Sequence, residues 1–389
     1  MKRLLIPHLA IWLIGGAIVR IGLVPAEVCP PVTEAQVVNA VGEAGGWIAR
    51  GIADSGRYTY GYFADVDRIN PSYNAARHAG TTTALFQLAA SGDGRFLPVA
   101  ESGLRYMLDR LVVRENWTAF TEGIDVRLGA NGLFLAALAQ RRLATGDRTH
   151  DVLMRSVGRF IIGQQEPDGR MHSEWDGRTG SPVPGVYGQF ATGEASWALA
   201  LLHRAFPDEG WADAALLTAR YLAGQRDRVE GHFTRVPDHW AAYTLAELGR
   251  ELLDETLIRY ARTLAGFFAT RIRFESQRTG EGINLLVRWF PGTPAGIGTA
   301  GEGMGALYRL AASDPRLDDL REGMTDTLTC MAGMMVDRQT LGEEAGTAAR
   351  PDLARGAWFY RGYSQVDDQQ HVISALHQAR AAVLESEAP

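Results

Sequence analysis

Six stretches of the sequence repeat one helical pattern, and this repetition limits the fold more than any other feature. Each stretch opens with polar or small residues and continues as an Ala- and Leu-rich helix that is apolar nearly all round. The six stretches are 77–93, 128–147, 191–208, 238–254, 300–314 and 366–382. Several of them stop at a Gly-Asp or Pro-Asp turn, which ends a helix. Because a helix that is apolar on most sides is normally buried, the sequence predicts six buried helices.

A second series of helices lies between these stretches. Its members are amphipathic, as in VLMRSVGRFIIGQQ (152–165), and each is followed by a polar turn containing Gly and a short aromatic segment. A charged face predicts an outer position for these helices. The series begins at Thr33, where the residues TEAQ resemble a capping box. Six alternating pairs predict an all-α fold, an (α/α)6 toroid over residues 33–385. An open helical solenoid is the alternative, although its repeats are usually more uniform in length.

The N-terminus predicts a targeting segment. Lys2 and Arg3 precede the apolar run LLIPHLAIWLIGGAIV, and Arg20 follows it. A basic start and an apolar run are typical of a signal peptide or a membrane anchor. We therefore expect residues 1–30 to be such a segment, with the toroid facing the periplasm or secreted. A buried hydrophobic helix is the alternative.

Charge and cysteine content exclude several classes of function. The 389 residues carry a net charge of -6, and no basic stripe indicates a nucleic-acid partner. Only Cys29 and Cys330 are present, which excludes a disulfide framework and a multi-cysteine metal site but leaves one bridge open. No nucleotide-binding or serine-hydrolase motif is present. We predict no metal and no cofactor.

The arrangement resembles the (α/α)6 toroid superfamily. The stretch QQEPDGRMHSEW, Gln164 to Trp175, is similar to the Q-x-x-D-G turn followed by Trp that recurs in that group. The group includes glycoside hydrolases, polysaccharide lyases, sugar epimerases and terpene cyclases. The resemblance implies the architecture much more than any one activity.

In such a barrel the N-termini of the inner helices meet at one mouth, and polar residues there line a funnel. Acidic side chains at these positions could act as acid, base or nucleophile once their surroundings separate their pKa values. The catalytic candidates are Glu194, Asp238, Glu302, Asp367 and Asp368. An acidic residue at a helix start is also often only an N-cap. The substrate-binding candidates are Tyr73, Asn74, Arg77, His78, Asn131, Trp175, Tyr187, His239, Trp240, Trp358, Tyr363 and His371.

These residues favour a carbohydrate-active enzyme that binds a polysaccharide or oligosaccharide. Glycoside hydrolysis needs two carboxyl groups across the bond, and aromatic rings suit the faces of sugars; lyase or epimerase chemistry is the close alternative. A non-catalytic glycan-binding or scaffold subunit of an envelope complex is a second hypothesis. A terpene cyclase is a third, which the acidic pair Asp367-Asp368 matches only weakly.

Overall fold

The computed structural model describes residues 2–232, 236–288 and 291–387, so the predicted N-terminal segment is described except for Met1. The described helices are α1 Lys2–Ile18, α2 Glu34–Arg50, α3 Ala75–Ala90, α4 Leu97–Leu108, α5 Leu128–Thr145, α6 Asp151–Ile162, α7 Ala191–Ala205, α8 Trp211–Gly224, α9 Arg226–Val229, α10 His239–Leu248, α11 Glu255–Ser276, α12 Gly282–Val287, α13 Pro294–Ala311, α14 Arg321–Asp337, α15 Gly342–Gly346, α16 Pro351–Ala354 and α17 Val366–Glu387. The strands are β1 Gly61–Phe63, β2 Arg68–Asn70, β3 Leu111–Val113, β4 Thr118–Phe120, β5 Val126–Arg127, β6 Glu174–Asp176, β7 Ser181–Pro182 and β8 Tyr363–Gln365.

Six helices form a closed inner ring. Each packs against the next in the order α3, α5, α7, α10, α13 and α17, and α17 packs back against α3. In an open solenoid the first and last helices would lie at opposite ends. The closed ring therefore confirms the predicted (α/α)6 toroid. The N-termini of all six inner helices meet at one mouth, where they line the cavities described below.

The outer layer consists of α2, α4, α6, α8, α11 and α14, each in contact with inner helices. The first of them begins as predicted, because Thr33 and Gln36 form a complete capping box. The aromatic segments between the layers form three small antiparallel sheets. One sheet joins the first and last connections, since β1 pairs with both β2 and β8.

Glycines bring neighbouring inner helices together. A Cβ atom on Gly132 of α5 would lie 2.7 Å from the backbone carbon of Glu194 in α7. A Cβ atom on Gly298 of α13 would lie 2.7 Å from the backbone carbon of His371 in α17. Real Cβ atoms do not approach so closely, so these positions need glycine for the ring to close at this spacing.

Two inner helices differ most from their predicted bounds. α13 begins at Pro294, not at residue 300, because Thr293 caps it and Pro294 occupies its first turn. Glu302 therefore lies in the third turn, deeper than the mouth position predicted for it. α10 ends at Leu248, where Gly249 adopts a φ of 69°.

The N-terminal segment is fastened to the outside of the toroid. A π-helical turn, Val19–Leu23, follows α1. Cys29 forms a disulfide with Cys330 of α14, and the Val28 N–H donates to the Ser276 carbonyl at 2.9 Å. Within the described ranges, no helix is both long enough and apolar enough to cross a membrane.

Candidate active site

Two adjoining cavities open at the mouth. The smaller, of 400 Å³, is lined by Arg77, His239, Asp367 and His371 together with small and aromatic residues. The larger, of 730 Å³, extends over the connections that precede α5 and α7 and includes Tyr73 and Tyr187. Asn74, Ala76 and Glu194 line both cavities, so the two form one cleft.

His371 is a buried cation in the smaller cavity. Its Nδ1 atom lies 2.7 Å from Glu302 Oε2, and its Nε2 atom lies 3.7 Å from Asp367 Oδ1. Burial alone would lower the pKa of His371, but the attraction of Glu302, helped by Asp367 and Asp368, outweighs burial and raises that pKa to about 9. The ring is therefore an imidazolium at neutral pH.

The protonation state of His239 is the opposite of that of His371. Its side chain is buried, and neither ring nitrogen has a hydrogen-bond partner among the described residues. Burial, reinforced by the positive charge of His371, holds the pKa of His239 well below its usual value, so this imidazole is neutral. The two rings meet edge to face with their centroids 5.3 Å apart. A neutral imidazole and an imidazolium thus stand side by side at the cleft.

Glu302 lies behind the two histidines. Its Oε2 atom is 2.7 Å from His371 and 3.7 Å from His239, and the carboxyl is almost fully buried. Burial raises the pKa of Glu302, and the adjacent imidazolium opposes that rise. One ligand atom from each of the three residues lies within 4.8 Å of the others, so this cluster is where a divalent cation could bind. Two of these three residues, Glu302 and His371, are already hydrogen-bonded to each other.

Glu194 lies where the cavities join. Burial is the main cause that raises its pKa, the negative charges of Asp238 and Asp367 add to it, and the value reaches about 8 although His371 opposes the rise. The carboxyl is therefore mostly protonated at neutral pH. Gly129 of α5 leaves room for it, because a Cβ atom there would lie 2.0 Å from Glu194 Oε2.

Asp238 lies outside the cleft. It is fully buried, its Oδ1 atom accepts from the backbone N–H groups of Trp240 and Ala241, and Oδ2 lies 2.5 Å from Arg226 Nη1. Burial raises the pKa of Asp238, and the guanidinium opposes that rise. These contacts correct the expectation that Asp238 faces substrate: it caps α10 and pairs with Arg226. A direct catalytic role for it stays a prediction without structural support.

The other two acidic candidates differ from each other. Asp367 lines the cleft and lies 3.3 Å from the Nε atom of Arg77. Asp368 is buried and accepts from the backbone N–H of Ala295 at 2.9 Å, which ties α17 to α13. Burial raises the pKa of Asp368 to about 6. Of the adjacent pair, only Asp367 lines the smaller cavity.

Seven of the predicted binding residues line the cleft, and five do not. Those at the cleft are Tyr73, Asn74, Arg77, Tyr187, His239, Trp240 and His371. Asn74 also caps α3, and Arg77 donates to Tyr60 and Gln365.

The remaining five have contacts elsewhere. His78 is packed between aromatic rings and bonded to the Gly103 carbonyl, and burial lowers its pKa to about 4. Asn131 bonds both backbone groups of Phe120. Trp358 donates to the Met335 carbonyl.

Trp175 packs on Trp117 beside a separate outer groove, and Tyr363 stacks on Phe63. Asn131 and Trp358 are buried, and all five side chains hold segments of the fold together. These contacts correct the mouth positions expected for them.

Sequence reasoning missed several residues of the cleft. Gln370 and Thr299 line the smaller cavity, and Phe190 packs against the His239 ring. Gln370 directly precedes His371 at the predicted start of an inner helix, which was a usable signal. Arg226 was also missed, since nothing near it in the sequence indicates a buried cation.

Comparison with known proteins defines the class of fold. No family model and no curated relative matches the sequence. Many solved structures do match it. The cellobiose 2-epimerase from Spirochaeta thermophila has a TM-score of 0.62 at 13% identity, covering 91% of this chain and 97% of that one. A family 76 α-mannanase from Bacteroides thetaiotaomicron has a TM-score of 0.60 at 9% identity, over 90% of this chain and 97% of the other.

A D-mannose isomerase has a TM-score of 0.60 at 12% identity, covering 90% of this chain and 98% of that chain. These proteins are members of the six-hairpin (α/α)6 toroid superfamily, and this chain shares their fold. Identities this low establish the fold alone.

Proposed function

We propose that the chain is a carbohydrate-active enzyme that moves a proton at a sugar carbon, as an epimerase or isomerase does. The observation that carries this proposal is the pair His239 and His371, which face one cavity in opposite protonation states. A neutral imidazole can accept a proton and an imidazolium can donate one, both near neutral pH. Two of the solved structures described above, which have the same fold, bear the names of such enzymes.

The geometry suggests how the residues would share the reaction. His239 takes the proton from the carbon beside the carbonyl of an open-chain sugar. The electron pair of that C–H bond forms a carbon–carbon double bond, and the carbonyl oxygen gains negative charge, which the Arg77 guanidinium stabilises. His371 then returns a proton. Delivery to the opposite face of the same carbon re-forms the original carbonyl and gives the epimer. For the isomer, the proton of the neighbouring hydroxyl first moves to the original carbonyl oxygen; delivery to the former carbonyl carbon then leaves the new carbonyl on the neighbouring carbon.

Glycoside hydrolysis is the second candidate, and Glu194 is the observation that favours it. A carboxyl that stays protonated at neutral pH can donate to the oxygen of a leaving sugar, and Asp367 supplies a carboxylate in the same cavity. The larger cavity gives room for further sugar units on one side of Glu194. The mannanase has the same fold.

One experiment separates the two candidates. The protein is incubated in D2O with a panel of disaccharides and envelope saccharides, and products are followed by NMR and mass spectrometry. Proton transfer at carbon gives an isomeric sugar of unchanged length with deuterium on that carbon. Hydrolysis gives shorter sugars without carbon-bound deuterium. We expect the first result, and shorter unlabelled products would contradict it.

Variants link the result to the cleft. His371→Asn and His239→Asn should abolish deuterium incorporation. His377→Gln is the matched control, because His377 lies on the same helix as His371 but beside Arg380, away from the cleft. Binding without any product would instead support a non-catalytic glycan-binding subunit. Charged Arg77 and Asp367 in the lining favour a saccharide over the hydrocarbon substrate of a terpene cyclase.

We also infer that the enzyme works in an oxidising compartment, as an exported or membrane-attached protein facing the periplasm. The Cys29–Cys330 disulfide supports this location, because such bonds persist outside the reducing cytosol. Thiol trapping in intact cells, followed by mass spectrometry, should find both cysteines oxidised. Two free thiols in freshly trapped cells would contradict this location.

A further inference from the structure

The short helix α12 buries its polar side chain and exposes its apolar side chains. Its single polar side chain, Asn284, is buried, where it accepts from the Thr279 N–H at 2.9 Å and donates to the Gln277 carbonyl at 3.1 Å. Its apolar side chains point outward instead: Ile283, Leu285, Leu286 and Val287 are all exposed, with Leu286 at 71%. A loop helix that merely covers the core would show the opposite pattern. Such an exposed apolar patch indicates a surface that meets another apolar phase.

The patch continues into the N-terminal segment. Gly22, in the π-helical turn, lies against Ile283, since a Cβ atom on it would be 3.2 Å from the Cβ atom of that residue. Arg288, at the end of α12, donates to the Leu23 carbonyl at 2.9 Å. The apolar residues of α12 and of the N-terminal segment therefore form one surface.

The exposure of α1 identifies what this surface meets. The consecutive residues Ile11, Trp12, Leu13 and Ile14 are 68%, 80%, 66% and 61% exposed. Four consecutive residues point around the full circumference of a helix. A protein partner would cover one face, whereas lipid surrounds a helix on all sides. The exposed cation Arg20, in the same π-helical turn as Gly22, suits anionic headgroups.

We propose that α12 and the adjoining N-terminal segment dock together on a lipid bilayer, with the mouth of the toroid beside the membrane surface. α12 belongs to the connection that leads from α11 to the N-terminus of α13, and Ala295, Gly296 and Thr299 of α13 line the cleft. The membrane contact thus lies on the rim of the mouth. The enzyme acts on saccharides presented close to the bilayer.

A fluorescent reporter on α12 tests this proposal without requiring turnover. Leu286→Cys in the full chain is labelled with an environment-sensitive NBD group, which the disulfide-bonded native cysteines do not take up. Vesicles contain equal parts of phosphatidylcholine and phosphatidylglycerol. Val152→Cys is the matched control, because Val152 is an exposed apolar residue on the outer helix α6. We expect the label on residue 286 to brighten and shift to the blue when vesicles are added, and the control label to stay unchanged.

A second variant measures the contribution to binding. Leu285→Ser combined with Leu286→Ser should weaken vesicle affinity about tenfold or more, since the free energy of burying one leucine corresponds to roughly that factor. Val152→Ser should leave the affinity unchanged. An unchanged label on residue 286 while the chain sediments with vesicles would overturn the proposal, as would the absence of any vesicle binding. A label that responds to protein concentration without vesicles would identify a second copy as the occupant instead.

Discussion

The stability contributed by the buried ion pair between Asp238 and Arg226 can be measured separately from that contributed by the N-cap that Asp238 also provides. In Asp238→Asn the side chain keeps an oxygen for the N–H groups of Trp240 and Ala241, so the cap of α10 survives. Arg226, which is 1% exposed, loses its main counter-ion and retains Asp227 at 3.5 Å. Removing one partner of a buried ion pair costs about 3–5 kcal/mol. Because Asp227 remains, we expect a loss near the lower end of that range.

Asp238→Ala should lose about 1 kcal/mol more, because the cap goes as well. Urea unfolding followed by tryptophan fluorescence measures both variants. The double variant Asp238→Asn, Arg226→Met should recover most of the stability, since it removes the unpaired charge. An Asp238→Asn protein as stable as the wild type would refute the structural role. If that stable protein had also lost turnover, the carboxylate would be catalytic after all.

Three further predictions follow from the cleft and its attachments. Turnover should fall as the pH rises through about 9, because His371 then loses the proton that it donates to substrate. Glu302→Gln removes the main attraction that raises the pKa of His371 and should therefore move this fall in a pH–rate profile to lower pH. Replacing both Cys29 and Cys330 with Ser should lower the free energy of unfolding by about 2–5 kcal/mol in urea titrations, because it opens a loop of 301 residues. Gly129→Ala should displace the Glu194 carboxyl from its position in the cleft and so reduce turnover at least about tenfold. The same substitution should stabilise helix α5 by up to about 1 kcal/mol, because alanine has the higher helix propensity.

Each of these predictions has a result that would contradict it. A fall near pH 8 that Glu302→Gln leaves in place would point to Glu194 as the titrating group. Equal stability with and without reductant would show that the disulfide does not hold the fold. Gly266→Ala is the control for Gly129→Ala, because a Cβ atom there meets nothing within 4 Å. The same loss of turnover in both would remove the steric explanation.

The ring could be predicted from the sequence because its signal is periodic and local. Ala- and Leu-rich stretches with no polar face leave burial as the only arrangement, and six of them with amphipathic partners close into a toroid. The capping box at Thr33 depends on residues three apart and was also correctly predicted. The early start of α13 was missed because Thr293-Pro294 begins a helix before its apolar run becomes clear.

The site was less predictable, since a polar residue at a helix start can either cap the helix or face the cleft. The difference depends on partners elsewhere in the chain. Asp238 faces Arg226, Asn131 faces the Phe120 backbone, and His78 faces the Gly103 carbonyl. No pattern at the helix start encodes these partners. His239 and His371 were recognised as mouth residues, but their different protonation states depend on burial and on Glu302, which reaches His371 from another helix.

Closure of the inner ring also sets the order in which the chain can be completed. α17 packs against α2, α3, α13 and α14, and the Arg380 guanidinium reaches Glu34 across 346 residues of sequence. Until α17 has been synthesised, its place in the inner ring between α13 and α3 is empty. The apolar sides of α3 and α13 that face this place therefore have no neighbour. A nascent or truncated chain that stops before Val366 would display an open apolar seam, which favours aggregation or capture by chaperones. The protein thus depends on its final segment for solubility as well as for His371.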